Sequence, residues 1–180
     1  MGLDFTCIAV PLDAEPVRAI RADPVLWAVA DGQPPFSRPW PGEELPEISR
    51  RLLAVVPGGT RWRADWFEGR NHQLAEHLLD PIGRDPDPAH RAIFGAERFA
   101  EHAVSGQGIG WRCSTAAQLS EAVRLIDGLD VEAARVSYRP DGLYKAYGAS
   151  FEQNLRDLRS WADHCRDVAA RGLDLIITLY

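Results

Sequence analysis

Lysine is almost missing from this 180-residue chain: Lys145 stands alone against nineteen arginines. A GC-rich coding sequence accounts for that bias more simply than function does, so the number of arginines carries no functional weight. Basic charge is also in deficit. Twenty basic residues face 26 acidic ones, the formal net charge is −6 and the pI about 5.3. That balance disfavours non-specific attraction to nucleic acid or to an anionic membrane, both of which are polyanions. No stretch reaches the roughly 18 apolar residues of a membrane-spanning helix. The opening Met1-Gly2-Leu3-Asp4 lacks the basic start and apolar run of a signal peptide, so a cytoplasmic protein is expected. Cys7, Cys113 and Cys165 are far apart and in no CxxC spacing. They indicate neither a disulfide framework nor a cysteine zinc site, and read as buried thiols in a reducing compartment. A GxSxG elbow, a Walker loop and a GxGxxG followed by an acid are all missing. No catalytic residue, metal site or cofactor is assigned.

What is present is an ordinary folding composition, 46% apolar and 26% charged, with enough chain for one well-buried domain over residues 1–180. Asp4 to Val10 is apolar and β-branched and runs into Pro11, which predicts a first strand. Asp13 stands where a helix N-cap would, ahead of Pro16, Val17 and Ile20. Asp23-Pro24 repeats the start signal for a second short helix that stops at Gly32. Five prolines between Gly32 and Pro46, with Phe36 and Trp40 among them, predict an irregular surface excursion. Ile48, Leu52, Leu53 and Val56 recur at helical spacing, as do Trp62, Trp66, Leu74, Leu78 and Leu79, with Gly69 interrupting. After a proline-rich turn from Asp80 to Pro88, a helix is expected over Ala89–Phe99, bent or ended near Gly95. Trp111-Arg112-Cys113 then reads as a strand.

Thr115 and Gln118 form a capping box for a helix whose buried stripe is Leu119, Val123 and Ile126. Asp130 begins a shorter helix. Ser150 and Gln153 form a second capping box. Behind it, Phe151, Leu155, Leu158, Trp161, Cys165 and Val168 specify the longest helix, with Gly172 at its left-handed C-terminus. Leu173 to Tyr180 reads as a last strand, interior or paired with the first. Strands and helices do not alternate regularly, so the expected class is α+β: a small, mostly antiparallel sheet of N-terminal, middle and C-terminal strands packed against several helices.

The Met-Gly-Leu start with its strand, Arg91-Ala92-Ile93-Phe94-Gly95 after a proline-rich turn, Gly110-Trp111-Arg112, the Thr115-to-Leu125 passage and the final helix running into Gly172-Leu173-Asp174-Leu175-Ile176 together resemble the YfbM-like family of small bacterial proteins. The likeness covers most of the chain and rests on order and spacing. Trp66, His72, Leu74 and His77 depart from the Trp-x-x-Leu-His spacing usual in that family's middle helix. The resemblance implies an α+β fold and a bacterial cytosolic origin; it implies no reaction, because the family carries a domain of unknown function.

Several groups invite a chemical reading. His72 and Glu76 share a helix face at i, i+4, but His77 falls about 140° round from His72, outside the zincin pattern. Adjacent His164 and Cys165 point about 100° apart and cannot pair, whereas a Cys113 partner in His90 or His102 stays open. Asp80, Asp85 and Asp87 sit among prolines as turn-makers. Arg61, Trp62, Arg63 and Trp66 join the residue types that dominate protein interfaces, although core packing of the tryptophans explains the same pattern. Two functional expectations follow. The first is a non-enzymatic protein-interaction module, immunity-like or inhibitory toward a basic partner protein, acting as monomer or homodimer. The second is a small hydrolase or transferase with a pocket near Arg91, Trp111, Tyr144 and Tyr147.

Overall fold

The computed structural model describes residues 5–37, 42, 44–57, 71–80, 86–104, 110–138 and 150–179. Along the chain these form β1 (Phe5–Val10), α1 (Glu15–Ala22), α2 (Pro24–Ala30), α3 (Glu47–Val55), α4 (Asn71–Leu79) and α5 (Pro86–Phe94). There follow β2 (Glu97–Arg98), β3 (Arg112–Ser114), α6 (Ala116–Asp127), α7 (Val131–Ser137), α8 (Phe151–Ala170) and β4 (Asp174–Leu179). The strands make one sheet in the order β1-β4-β3-β2, antiparallel throughout. The α+β class and the antiparallel sheet of first, middle and last strands are as the sequence predicts. The last strand is both interior and paired with the first, Cys7 lying opposite Ile177 and Thr6 opposite Thr178.

The sheet is covered on both faces, which is why its long strands are apolar throughout rather than alternating. Phe5, Cys7, Ala9, Leu175 and Ile177 point into a core filled by α4, α5, α6 and α8. Ile8, Val10, Cys113 and Ile176 point the other way, into a second core with Val17, Ile20, Ile48 and Leu52 of α1 and α3 and with Phe36, Phe99 and Trp111. Each fully buried aliphatic side chain contributes about 1.5–3 kcal/mol to folding. Asp174 joins the layers: its carboxylate accepts from Leu12 N at 2.8 Å and from Ala116 N at 2.9 Å, tying the exit of β1 and the start of α6 to β4.

The capping box of α6 is complete, Thr115 accepting from Gln118 N and Gln118 Oε1 from Thr115 N. Asp23 caps α2 by accepting from Val25 N and Leu26 N. At α8 Ser150 accepts from Gln153 N, but the Gln153 side chain turns outward to donate to Asp157 at 2.7 Å, so only half of that box forms. One expectation moves. The N-cap of α1 is Ala14, not Asp13, and makes no side-chain bond. The helix expected to bend or end near Gly95 does end there: α5 starts at Pro86, inside the expected proline-rich turn, and stops at Phe94, because Gly95 takes φ +99° and Glu97–Arg98 becomes β2. Only Asn71–Leu79 of the helical stretch begun at Trp62 lies within the described residues.

Candidate functional site

The thiols come first because they are the strongest nucleophiles on the chain. Cys7 of β1 and Cys165 of α8 lie on either side of the first core, and Cys7 Sγ sits 3.6 Å from His164 Nε2. That contact joins a cysteine and a histidine which sequence spacing could not relate. The Cys113 partners left open take other roles: His90 Nδ1 lies 3.2 Å from Glu76, and His102 Nε2 donates to Ile20 O at 3.1 Å. Burial pushes the Cys7 thiol well up, helped by the nearby Cys165, and burial likewise raises Cys165. Burial also drives Cys113 up to about 11. All three are free, buried and protonated at neutral pH, the inert form of cysteine.

A second polar group gathers at the C-terminal end of α7. Asn154, fully buried on α8, donates to Tyr138 Oη at 2.7 Å, and the His77 ring lies 6.1 Å from that of Tyr138. His77 Nε2 and Asn154 Oδ1 are buried without a hydrogen-bond partner among the described residues. His77 is half-buried and diverges from Glu76, which pairs with His90. The sequence did hold a sign of Asn154: a polar residue beside Leu155 on the apolar stripe of α8.

The candidate binding surface lies on α6. Leu119, Val123 and Ile126 face the first core. Residues 118, 122, 125 and 129, spaced by four, three and four, form a second stripe on the outer side. Gln118, Glu121, Ala122 and Leu125 face Asp87, Pro88, Arg91, Ala92 and Ala96 across a hollow of about 240 Å³. A second hollow of about 300 Å³ is lined by Leu125, Leu129, Asp130 at the N-cap of α7 and Ala133, Ala134 and Ser137 within α7, with Leu78 and Leu79 of α4. The two meet at Leu125, which is 38% exposed. The floor is Ala and Leu; the charges at the rim are the carboxylates of Asp87, Glu121 and Asp130 and the guanidinium of Arg91. Arg91 Nη2 is 2.8 Å from Asp87 and so already neutralised. The groove is acidic.

Of the sequence-predicted site residues, Arg91 lines this groove, whereas Trp111 is fully buried in the second core, 4.4 Å from Phe36 and 5.6 Å from Trp27 between ring centroids. Tyr144, Tyr147, Arg61, Trp62, Arg63 and Trp66 lie outside the described residues, as does the side chain of His72. Among the described residues no three or more His, Cys, Asp or Glu side chains are grouped so as to hold a metal ion. No described helix is long and apolar enough to cross a membrane.

No protein-family model and no curated protein matches the chain. Among solved structures, the crystal structure of YfbM from Escherichia coli, described as a protein of unknown function, aligns with 100% of both chains at a TM-score of 0.57 and 15% identity. This chain has a YfbM-like fold. At that identity the likeness speaks for the fold alone. Within the YfbM-like fold, the groove on α6 brings an apolar floor and a charged rim together, and α5, α6 and α7 position it by presenting small side chains at helical spacing.

Proposed function

We propose that this chain is a protein-interaction module that binds a basic partner protein, in an inhibitory or immunity-like role. The acid-rimmed apolar groove on α6 carries this reading: an apolar floor supplies affinity, and a negative rim steers a positive partner onto it. The net charge of −6 adds to the same field. The segment holding Arg61, Trp62, Arg63 and Trp66 is proposed as a further contact, on residue type alone. Free, protonated thiols suit a reducing compartment, and the cytoplasm is the proposed location.

The test is affinity capture of the tagged protein from its native lysate, followed by measurement of the complex at low and high salt. The reading expects one stoichiometric basic protein whose affinity falls as salt rises and whose own activity is inhibited. Capture of nothing, or of an acidic protein indifferent to salt, overturns it. A hydrolase or transferase is the second reading, favoured by one observation: Arg91, Gln118 and Glu121 line one hollow of about 240 Å³, room for a ligand smaller than most. Under that reading small ligands raise the melting temperature, and Arg91→Ala removes the shift.

A further inference from the structure

We infer that the occupant of the groove is a basic amphipathic α-helix of the partner, laid along the outer stripe of α6; this rests on the interaction reading above. The shape of the floor comes first. Ala92 and Ala96 on one side, Ala122 on α6, and Ala133 and Ala134 on the other side leave room for close backbone approach, and Leu125 stands between them. Small residues flanking a leucine ridge make a seat for a second ridge of side chains, the arrangement by which helices pack. From Gln118 to the end of α6 at Asp127 the stripe runs about 14 Å at 1.5 Å per residue. The hollow beside Leu129 extends it past the helix end. That length suits three to four turns of helix, with aliphatic anchors at i, i+3 or i+4 and i+7.

The rim then chooses the charge. Glu121 at one hollow and Asp130 at the other belong to no ion pair among the described residues, while Asp87 is held by Arg91. Two carboxylates separated along the groove suit lysine or arginine at the flanks of the incoming helix. A helix suits the groove better than an extended strand because its walls are helix side chains: apart from Ala96, just before the two-residue strand β2, its lining comes from α4 to α7 and the turn between α6 and α7.

The experiment uses the full chain and a synthetic, fluorescently labelled amphipathic helix of about sixteen residues, leucine on one face and lysine on the flanks. A twin carries glutamate for every lysine. Fluorescence anisotropy is expected to show binding of the lysine peptide, at least tenfold weaker for Leu125→Glu, and little binding of the glutamate twin. The pair Glu121→Lys and Asp130→Lys is expected to reverse the preference. Glu121 is solvent-exposed and makes no described side-chain bond, so Glu121→Lys should melt as the parent does; Asp130 caps α7 by accepting from Ala133 N at 3.0 Å, so Asp130→Lys should melt lower, and circular dichroism verifies that both remain folded. Equal binding of the two peptides, no binding of either, or indifference to Leu125→Glu overturns the inference. If the native partner is captured equally by the parent and by Leu125→Glu, the helix-in-groove inference fails while the interaction reading stands; if no partner is captured by either, that reading itself fails.

Discussion

Cys7 on the first strand and His164 on the longest helix meet at 3.6 Å between Sγ and Nε2, 157 residues apart in the chain. A cysteine beside a histidine is the geometry of an activated nucleophile, yet here the thiol is raised by burial and by the neighbouring Cys165, so the proton stays on sulfur. The contact fastens β1 to α8. Native protein is expected to leave Cys7, Cys113 and Cys165 unmodified by a thiol reagent at pH 8, and all three to react once urea unfolds it. Rapid modification of Cys7 in the folded state would contradict this.

The same burial sets an alkaline limit. In the unfolded chain each thiol ionises near the ordinary value of 9.0, whereas in the folded chain Cys113 holds its proton to about 11, and Cys7 and Cys165 are raised as well. Above pH 9 the folded state therefore binds more protons than the unfolded state. The stabilisation is fully present below pH 9 and is lost as pH rises toward 11, by up to about 1.4 kcal/mol per pH unit for each thiol. Urea midpoints at pH 8 and pH 10 should diverge more for the parent than for Cys113→Ala.

The two tryptophans that are fully buried among the described residues, Trp111 and Trp161, should answer differently to the same substitution. Trp161 Nε1 donates to Ala92 O at 2.8 Å, joining α8 to α5, whereas Trp111 Nε1 makes no hydrogen bond among the described residues. Phenylalanine at either site removes similar ring volume. At position 161 it also breaks a buried hydrogen bond; at 111 it removes a donor that had already lost its water. Trp161→Phe is expected to destabilise by about 1–2 kcal/mol more than Trp111→Phe, read from denaturant midpoints.

Asp174→Ala should cost about 2–3 kcal/mol, because it leaves Leu12 N and Ala116 N without their carboxylate acceptor. Asp174→Asn keeps one amide oxygen in place and should cost less. A thermal melt of both variants gives the order, and equal melting temperatures would remove Asp174 as the tie between layers.

Gly95→Ala combines two penalties. The residue sits at φ +99°, and an added Cβ would meet Arg112 Cβ and the backbone N and O of Cys113 at 3.2 Å. A loss of about 1–3 kcal/mol is expected. Gly172→Ala, at φ +67° with open space around the new methyl, should cost less.

Element by element, the legible parts were those written in local signals. Thr115 with Gln118, Asp23 with Pro24, and the fours-and-threes spacing from Phe151 to Val168 each name their own helix, because caps and stripes act within a few residues. Gly95 was seen as an interruption, but its conversion of Glu97–Arg98 into a strand depends on Arg112 and Cys113 arriving alongside. The groove was half legible: the 118, 122, 125, 129 spacing stands in the sequence, yet an exposed leucine on a helix means little until other helices flank it. Trp111 was read toward a pocket beside Arg91, and its place instead among Trp27, Phe36 and Phe99 reflects which sheet face it lies against.

By itself, then, the sequence determined the helices α2, α6 and α8 with their capping residues, the apolar first and last strands, the α+β class and the acidic balance, since each depends on residues near one another or on composition. Tertiary structure alone decided that β4 lies between β1 and β3, that Cys7 meets His164, that Asp174 holds two distant backbone amides, and that four short helices leave an acid-rimmed groove between them. The physical reason is range: capping and periodicity are set within a turn or two of chain, whereas pairing order, burial of thiols and the shape of a groove arise only when segments far apart exclude the same water.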